Sequence, residues 1–243
     1  MSKKSDERAA RTAALLAEQR RAERRRRLLV VGAVVAVLAV VVGVGFFVQA
    51  SRDTTGDAPS ATPSGTDGYS IFVGDESAPT TITVYEDLQC PVCMSLEQAT
   101  GDQVSQAIED GKVRMEYRMV SFLDSASDNA YSSRALNAAL AVLDTAGVEA
   151  FKTFHDERYA DQPAENSAGP EDEELIEDAV RAGATESEVR PLIEDTVYAQ
   201  WIKNATDQMS KEKVNGTPTV EIDGTRVEGS VQDSIDAVLA ATQ

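Results

Sequence analysis

The chain has 243 residues and a formal net charge of -18, which hides two regions of opposite charge. Residues 1–27 hold ten Lys and Arg against four Asp and Glu, whereas residues 28–243 hold 13 basic and 37 acidic residues. A body this acidic is poorly suited to binding nucleic acid, so we exclude a nucleic-acid partner for it.

An uncharged, strongly apolar run covers residues 28–50, directly after four consecutive arginines at 24–27. Its length matches a helix that crosses a hydrocarbon core of about 30 Å. By the positive-inside rule, residues 1–27 stay in the cytoplasm and the chain after residue 50 lies on the other side. We predict a basic cytoplasmic segment, 1–27, followed by a single transmembrane helix, 28–50. The alternative is a cleaved signal peptide ending at residues 48–50, but the apolar run is longer than a usual signal core.

Residues 51–68 are rich in Ser, Thr, Pro, Gly and Asp and lack apolar periodicity, which predicts a flexible linker. One folded domain is expected at 69–243. It begins with a short strand at 69–73 and a second strand at 81–85, both rich in β-branched or aromatic residues. Residues 112–123 alternate apolar and polar side chains as a third strand does. A helix between the second and third strands implies a parallel pair with a right-handed crossover.

The only two cysteines, Cys90 and Cys93, flank Pro91 and Val92 where the second strand gives way to that helix. Pro91 suits a first helical turn, and the amide hydrogens and positive dipole end of a helix start favour a Cys90 thiolate. We expect Cys90 at an exposed helix tip, with Cys93 one turn beneath it. A zinc site is disfavoured because it needs about four ligands, and a structural bridge across two residues closes almost no loop. A redox pair without metal or cofactor is the preferred interpretation.

Between residues 128 and 213 the pattern changes to amphipathic helices, enough for an inserted helical subdomain, and we interpret their apolar stripes as core. His155, the only histidine, is interpreted as a packed or surface residue because the sequence shows no partner, with a catalytic base as the alternative. Strands return at 214–222, in a hairpin closed at Asp223–Gly224. Thr217–Pro218 at the entrance of this strand is either an edge position or a cis peptide bond.

Three features together resemble the DsbA-like branch of the thioredoxin superfamily: the segment VYEDLQCPVC at 84–93, the long helical block, and VNGTPTV at 214–220. The resemblance covers residues 69–243. It implies an α/β, thioredoxin-like fold, a central mixed sheet flanked by helices, with an inserted helical subdomain. In this chain that domain is preceded by the predicted transmembrane helix.

The same resemblance implies roles for individual residues. Cys90 and Cys93 catalyse thiol–disulfide exchange, with Pro91 and Val92 between them as active-site support. Pro218 is cis and abuts the pair, and Thr217 presents backbone hydrogen-bonding groups to a substrate peptide. The helical insertion covers the active site.

Two positions depart from the family pattern. Many relatives carry a histidine beside the second cysteine, where Val92 stands, and valine cannot stabilise a thiolate; this predicts a milder redox potential. An acid six residues before the first cysteine is often buried in thioredoxin-like proteins, and here that residue is Val84. Glu86 and Asp87 lie nearer and are candidates for proton transfer, unless they merely solvate the strand end.

We therefore expect a membrane-anchored, extracytoplasmic thiol–disulfide oxidoreductase that oxidises cysteine pairs of exported proteins through a Cys90–Cys93 disulfide. Its partners would be client proteins with free thiols and a membrane-embedded reoxidase linked to quinone. The same residues would also serve a reductase or isomerase, since the sequence does not fix the direction. A non-catalytic binding module of the cell envelope is the alternative from another class.

Overall fold

The computed structural model of the chain describes residues 54–243. The predicted basic segment, 1–27, and the predicted transmembrane helix, 28–50, lie outside these residues. Within the part that is described, no helix is both long enough and apolar enough to span a membrane.

A six-stranded mixed sheet forms the centre of the domain, in the order β1-β2-β4-β3-β5-β6. The strands are Thr66–Asp67 (β1), Ser70–Val73 (β2), Thr80–Glu86 (β3), Val113–Met119 (β4), Thr219–Ile222 (β5) and Thr225–Arg226 (β6). β3 and β4 run parallel, with Ile82 opposite Met115, and every other neighbouring pair is antiparallel. Helix α1, Pro91–Glu109, joins β3 to β4 and confirms the predicted crossover.

The burial of β3 and β4 follows from their sequences. β4 alternates buried and half-buried side chains, with Val113, Met115 and Tyr117 on the core side. β3 lies between β4 and β5, and it buries every side chain from Ile82 to Glu86. β3 is thus a central strand covered on both faces, and it ends next to the cysteine pair. Its last residue, Glu86, is therefore buried in the core.

Five helices lie between β4 and β5, as the helical pattern predicts. They are Tyr131–Ala146 (α2), Val148–Ala160 (α3), Asp172–Arg181 (α4), Glu186–Glu194 (α5) and Ala199–Lys211 (α6). α2 lies at the centre of this group, because it has 11 buried residues and packs against the other four helices. The apolar stripes are core as predicted: Trp201 of α6 is buried and meets the ring of Tyr69 edge-on at 5.3 Å. A last helix, Val231–Ala241 (α7), packs on α1.

Residues 54–68, the described part of the predicted flexible linker, make specific contacts with the domain. Thr66–Asp67 pairs with β2, Pro63 is buried, and the Ser64 amide donates a hydrogen bond of 2.7 Å to Asp144 Oδ1. These contacts come from backbone amides and one proline, which produce no apolar periodicity in a sequence. The compact unit spans residues 55–243, so it begins earlier than residue 69.

Candidate active site

The cysteine pair lies where β3 ends and α1 begins. Cys90 is the N-cap residue of α1, Pro91 occupies the first turn, and the Cys90 carbonyl accepts a hydrogen bond of 3.1 Å from the Met94 amide. Cys93 is completely buried one turn further on, and Val92 is 41% exposed. The prediction that Cys90 is exposed is wrong, since only 4% of it is accessible. Val92 and Pro91 form the exposed tip instead.

The loop before β5 covers Cys90. The Thr217–Pro218 peptide bond is cis, as the resemblance implies, and the Thr217 carbonyl oxygen lies 3.4 Å from Cys90 Sγ. A groove of about 270 Å³ adjoins this loop, and its lining includes Val92, Thr217, Pro218 and Arg226. The structure thus brings Val92, Thr217 and Pro218 together at the cysteine pair.

The two thiols of the pair, both free, differ in acidity. A hydrogen bond from the Cys93 thiol lowers the pKa of Cys90 to about 6 against the effect of burial. Further hydrogen bonds from the Thr217 side chain and from the amides of Cys93 and Val92 add to this. Burial, the hydrogen bond to Cys90 and the charges of Cys90 and Glu86 raise the pKa of Cys93 well above its usual value. At neutral pH the pair therefore holds a thiolate at Cys90 and a neutral thiol at Cys93.

Glu86, the last residue of β3, ends in a buried hydrogen-bonded cluster. Its Oε1 lies 2.7 Å from His155 Nε2, and the Tyr159 hydroxyl donates to its Oε2 at 3.1 Å. On the other side of the imidazole ring, His155 Nδ1 lies 2.9 Å from Asp156 Oδ1. Burial lowers the pKa of His155, but the charge of Glu86 and the hydrogen bonds to Asp156 and Glu86 outweigh it and raise the pKa to about 10. His155 is thus an imidazolium held between two carboxylates.

Sequence reasoning placed His155 correctly in a packed helix but missed its partners. The two residues Glu86 and His155 are 69 positions apart, so no local pattern pairs them. The alternative that Glu86 and Asp87 solvate the strand end is wrong, because both are completely buried.

Asp87 uses both of its carboxylate oxygens in fixing the loop before α1. Oδ1 accepts a hydrogen bond of 2.9 Å from the Gln89 amide, and Oδ2 accepts one of 2.8 Å from the Leu123 amide and one of 2.6 Å from the Ser132 hydroxyl. Burial raises the pKa of Asp87 to about 6, although these hydrogen bonds oppose it. Asp87 therefore ties the cysteine loop to the start of α2.

Glu97, one turn after Cys93 on α1, is a site residue that sequence reasoning missed. Its position four residues after a cysteine in a helix was a signal, since such side chains share a face. Donor atoms of Glu86, Glu97 and His155 lie within 4.8 Å of one another, a spacing that could hold a metal ion. In this structure Glu86 and His155 bond each other directly at 2.7 Å. The carboxylates of Glu86, Glu97 and Asp156 thus surround one imidazolium.

Residues 66–240 match the sequence profile of a family described as Thioredoxin. The chain belongs to this family. It is 32% identical to the reduced form of the disulfide bond oxidoreductase DsbG from Mycobacterium tuberculosis, with a TM-score of 0.61 over 74% of this chain and 97% of that one. It is also 32% identical to reduced DsbA from the same organism, with a TM-score of 0.60 over 72% of this chain and 100% of that one. The chain is thus a DsbA-like thiol–disulfide oxidoreductase with a thioredoxin-like fold.

A curated relative is similar over a shorter stretch. The serine/threonine-protein kinase PknE from Mycobacterium tuberculosis is 29% identical over 157 residues, which is 62% of this chain. The matched stretch spans 28% of the length of PknE. The similarity therefore concerns one part of that larger protein.

Proposed function

We propose that this thiol–disulfide oxidoreductase is a membrane-anchored oxidase that introduces disulfide bonds into exported proteins. The difference in acidity between its two thiols carries the proposal: the pKa of Cys90 is lowered to about 6, whereas that of Cys93 is raised. A stabilised thiolate favours the reduced enzyme, so the corresponding disulfide tends to oxidise its clients. The apolar run at 28–50 and the arginines before it support an anchor with the catalytic domain outside the cytoplasm.

In the proposed reaction, a client thiolate attacks Cys90 Sγ of the Cys90–Cys93 disulfide. The bond between the two enzyme sulfurs breaks, and Cys93 leaves with the electron pair and takes up a proton. A second client thiolate then attacks the client sulfur of the mixed disulfide, and Cys90 leaves as a thiolate, which its low pKa favours. The client departs with a disulfide, and the enzyme keeps two electrons.

We assign the proton of Cys93 to Glu86. The charge of Glu86 contributes to the raised pKa of the Cys93 thiol, and both residues are completely buried. Asp87 is the second candidate for this proton, since burial raises its pKa to about 6. Glu86 would accept the proton when Cys93 must attack and return it when Cys93 leaves.

The groove beside Thr217 and Pro218 is the proposed client site. Its volume of about 270 Å³ and its open wall suit an extended peptide that reaches Cys90 past the exposed Val92. Binding through backbone groups tolerates clients of varied sequence.

Recovery of the disulfide requires an electron acceptor, and we propose a membrane-embedded reoxidase that passes the two electrons to quinone.

One observation favours a second candidate function. Val92 offers neither charge nor hydrogen bond from its side chain to the Cys90 sulfur, which supports a milder potential than the strongest oxidants have. A reductase or isomerase fed by a membrane electron donor would use the same site with the electrons flowing in the opposite direction.

Trapping in cells tests the proposed oxidase. In a Cys93→Ser variant, Cys90 cannot be released from a mixed disulfide by its neighbour, so exported proteins should accumulate on Cys90. The Cys90→Ser/Cys93→Ser double variant is the matched control. Absence of trapped proteins would argue for a non-catalytic binding module. Alkylation of free thiols in intact cells then gives the direction: an oxidase is mostly disulfide-bonded at steady state, whereas a mostly reduced pair points to the reductase.

A further inference from the structure

Arg226 of β6 bonds the chain on both sides of the loop that carries the cis proline, residues 214–218. Glu221 of β5 is its register partner across the hairpin, and Arg226 Nε and Nη2 donate hydrogen bonds of 3.2 and 3.0 Å to Glu221 Oε1. The remaining nitrogen, Nη1, donates a bond of 3.1 Å to the Lys213 carbonyl oxygen. Lys213 directly precedes the loop and Glu221 follows it. One guanidinium group therefore ties the two ends of this cis-proline loop together.

The backbone of Lys213 has a conformation that this bond helps to hold. Its φ is +60°, in the left-handed region that residues other than glycine adopt infrequently. Such a conformation persists where the surrounding contacts favour it. Here the Lys213 amide donates to the Ser210 carbonyl at 3.1 Å, at the end of α6, and the Lys213 carbonyl accepts from Arg226. Arg226 thus stabilises the turn where the chain leaves α6 and enters the cis-proline loop.

The cis-proline loop determines how the Cys90 sulfur is enclosed. The Thr217 carbonyl oxygen lies 3.4 Å from Cys90 Sγ, and only 4% of Cys90 is exposed. A hydrogen bond from the Thr217 side chain also helps to lower the pKa of Cys90. Val214 is buried at the start of the loop, whereas Thr217 and Pro218 are half-buried. The position of Thr217 over Cys90 therefore depends on how the ends of the loop are held.

The charge of Arg226 is balanced close to the groove that it lines. Its guanidinium is paired with the Glu221 carboxylate at 3.0 Å. The strongest influences on the Cys90 thiol are burial and short-range hydrogen bonds, with the Cys93 thiol first among the donors. We therefore expect Arg226 to act on Cys90 through the position of the loop and not through its charge.

We propose that Arg226 is a positioning residue that holds the cis-proline loop closed over Cys90, keeps Thr217 against its sulfur and limits access to that sulfur. The planar guanidinium suits this task, because it presents donors in fixed directions to the Glu221 carboxylate and the Lys213 carbonyl at once. The role applies to oxidation and to reduction of clients alike, since a client sulfur must reach Cys90 in both directions.

Alkylation of Cys90 tests this role without a client. In a Cys93→Ala background the full chain has a single cysteine, so every reaction occurs at Cys90. At a pH well above the midpoint of the profile, all of Cys90 is thiolate. The rate with a bulky, dye-linked iodoacetamide, divided by the rate with iodoacetamide itself, then measures access to the sulfur. The midpoint measures the hydrogen bonds that stabilise the thiolate.

Arg226→Gln should raise this relative rate by about three- to tenfold, as expected when one exposed hydrogen bond that holds the loop is lost. Its midpoint should rise by no more than that of Thr217→Ala, because Arg226 acts through Thr217. The double variant Thr217→Ala/Arg226→Gln should therefore have the midpoint of Thr217→Ala. Arg226→Lys keeps the charge but loses the planar set of donors, so it should lie closer to Arg226→Gln than to the unsubstituted background.

Arg190→Gln is the matched control. The Arg190 side chain is 30% exposed, against 32% for Arg226, and it bonds carboxylates of α4 and α5 instead of the cis-proline loop. This variant should keep the relative rate and the midpoint of the background.

An unchanged relative rate and midpoint in Arg226→Gln would overturn the proposal. An unchanged Arg226→Lys would assign the effect to charge alone, and additive midpoint shifts in the double variant would show that Arg226 acts on the sulfur directly; either result would also overturn it. Circular dichroism establishes that each variant is folded, and Arg226→Lys decides the question if Arg226→Gln is not. Since no client is used, the result is independent of the trapping experiment.

Discussion

Replacing Cys93 by alanine removes the leading cause of the acidity of Cys90. The pKa of Cys90 falls from an ordinary 9.0 to about 6, and the hydrogen bond from Cys93 contributes most to this. Three pKa units correspond to about 4 kcal/mol of preference for the thiolate. A hydrogen bond to a charged group accounts for about 1.5–3 kcal/mol of such a preference. Cys93→Ala should therefore raise the pKa of Cys90 by about one to two units, to about 7 or 8.

The pH dependence of iodoacetamide alkylation measures this pKa directly. Cys93→Ala leaves one cysteine in the chain, so the reaction has a single site. The midpoint of the profile is the quantity to compare, because the absolute rate also rises with the basicity of the thiolate and masks part of the effect. We expect a wild-type midpoint near 6 and a clearly higher one in Cys93→Ala.

Thr217→Ala is the matched comparison, since the side chain of Thr217 donates a weaker hydrogen bond to the same sulfur. Its midpoint should rise by less than that of Cys93→Ala. A wild-type midpoint in Cys93→Ala, or a larger shift in Thr217→Ala, would refute the explanation given for the acidity of Cys90.

Two further substitutions test the surroundings of the pair. His155→Leu leaves the buried Glu86 carboxylate without its cation, so the free energy of unfolding, measured with urea at neutral pH, should fall by about 3–5 kcal/mol. The double variant Glu86→Leu/His155→Leu should recover part of this loss. A loss too small to measure would contradict the ion pair. Val92→His places a hydrogen-bond donor or a cation beside Cys90, so the redox potential measured by equilibration with glutathione should be more oxidising than that of the wild type. An unchanged or more reducing potential would contradict the role given to Val92.

Features that depend on local spacing could be predicted from the amino-acid sequence. The strand before Cys90, Pro91 in the first turn of α1, the alternation in β4, the helical block and the hairpin at Asp223–Gly224 are all present in the structure. Each arises from the propensities of individual residues or from an apolar period of two or 3.6 residues. Both are properties of neighbouring residues and do not depend on distant parts of the domain. The short strand at Thr66–Asp67 carries no such period, so the sequence predicts a linker there.

The contacts within the site could not be predicted, because they join residues that lie far apart in the sequence. Thr217 covers Cys90 from 127 positions away, and Glu86 meets His155 across 69. Glu97 of α1 comes close to Glu86 of β3 and His155 of α3 only because these three elements pack together. Protonation depends on which charges and dipoles share a poorly solvated region, and that is fixed by how distant elements pack. The cysteine pair and the nearby acids Glu86 and Asp87 can therefore be identified in the sequence, whereas the partners of these acids cannot.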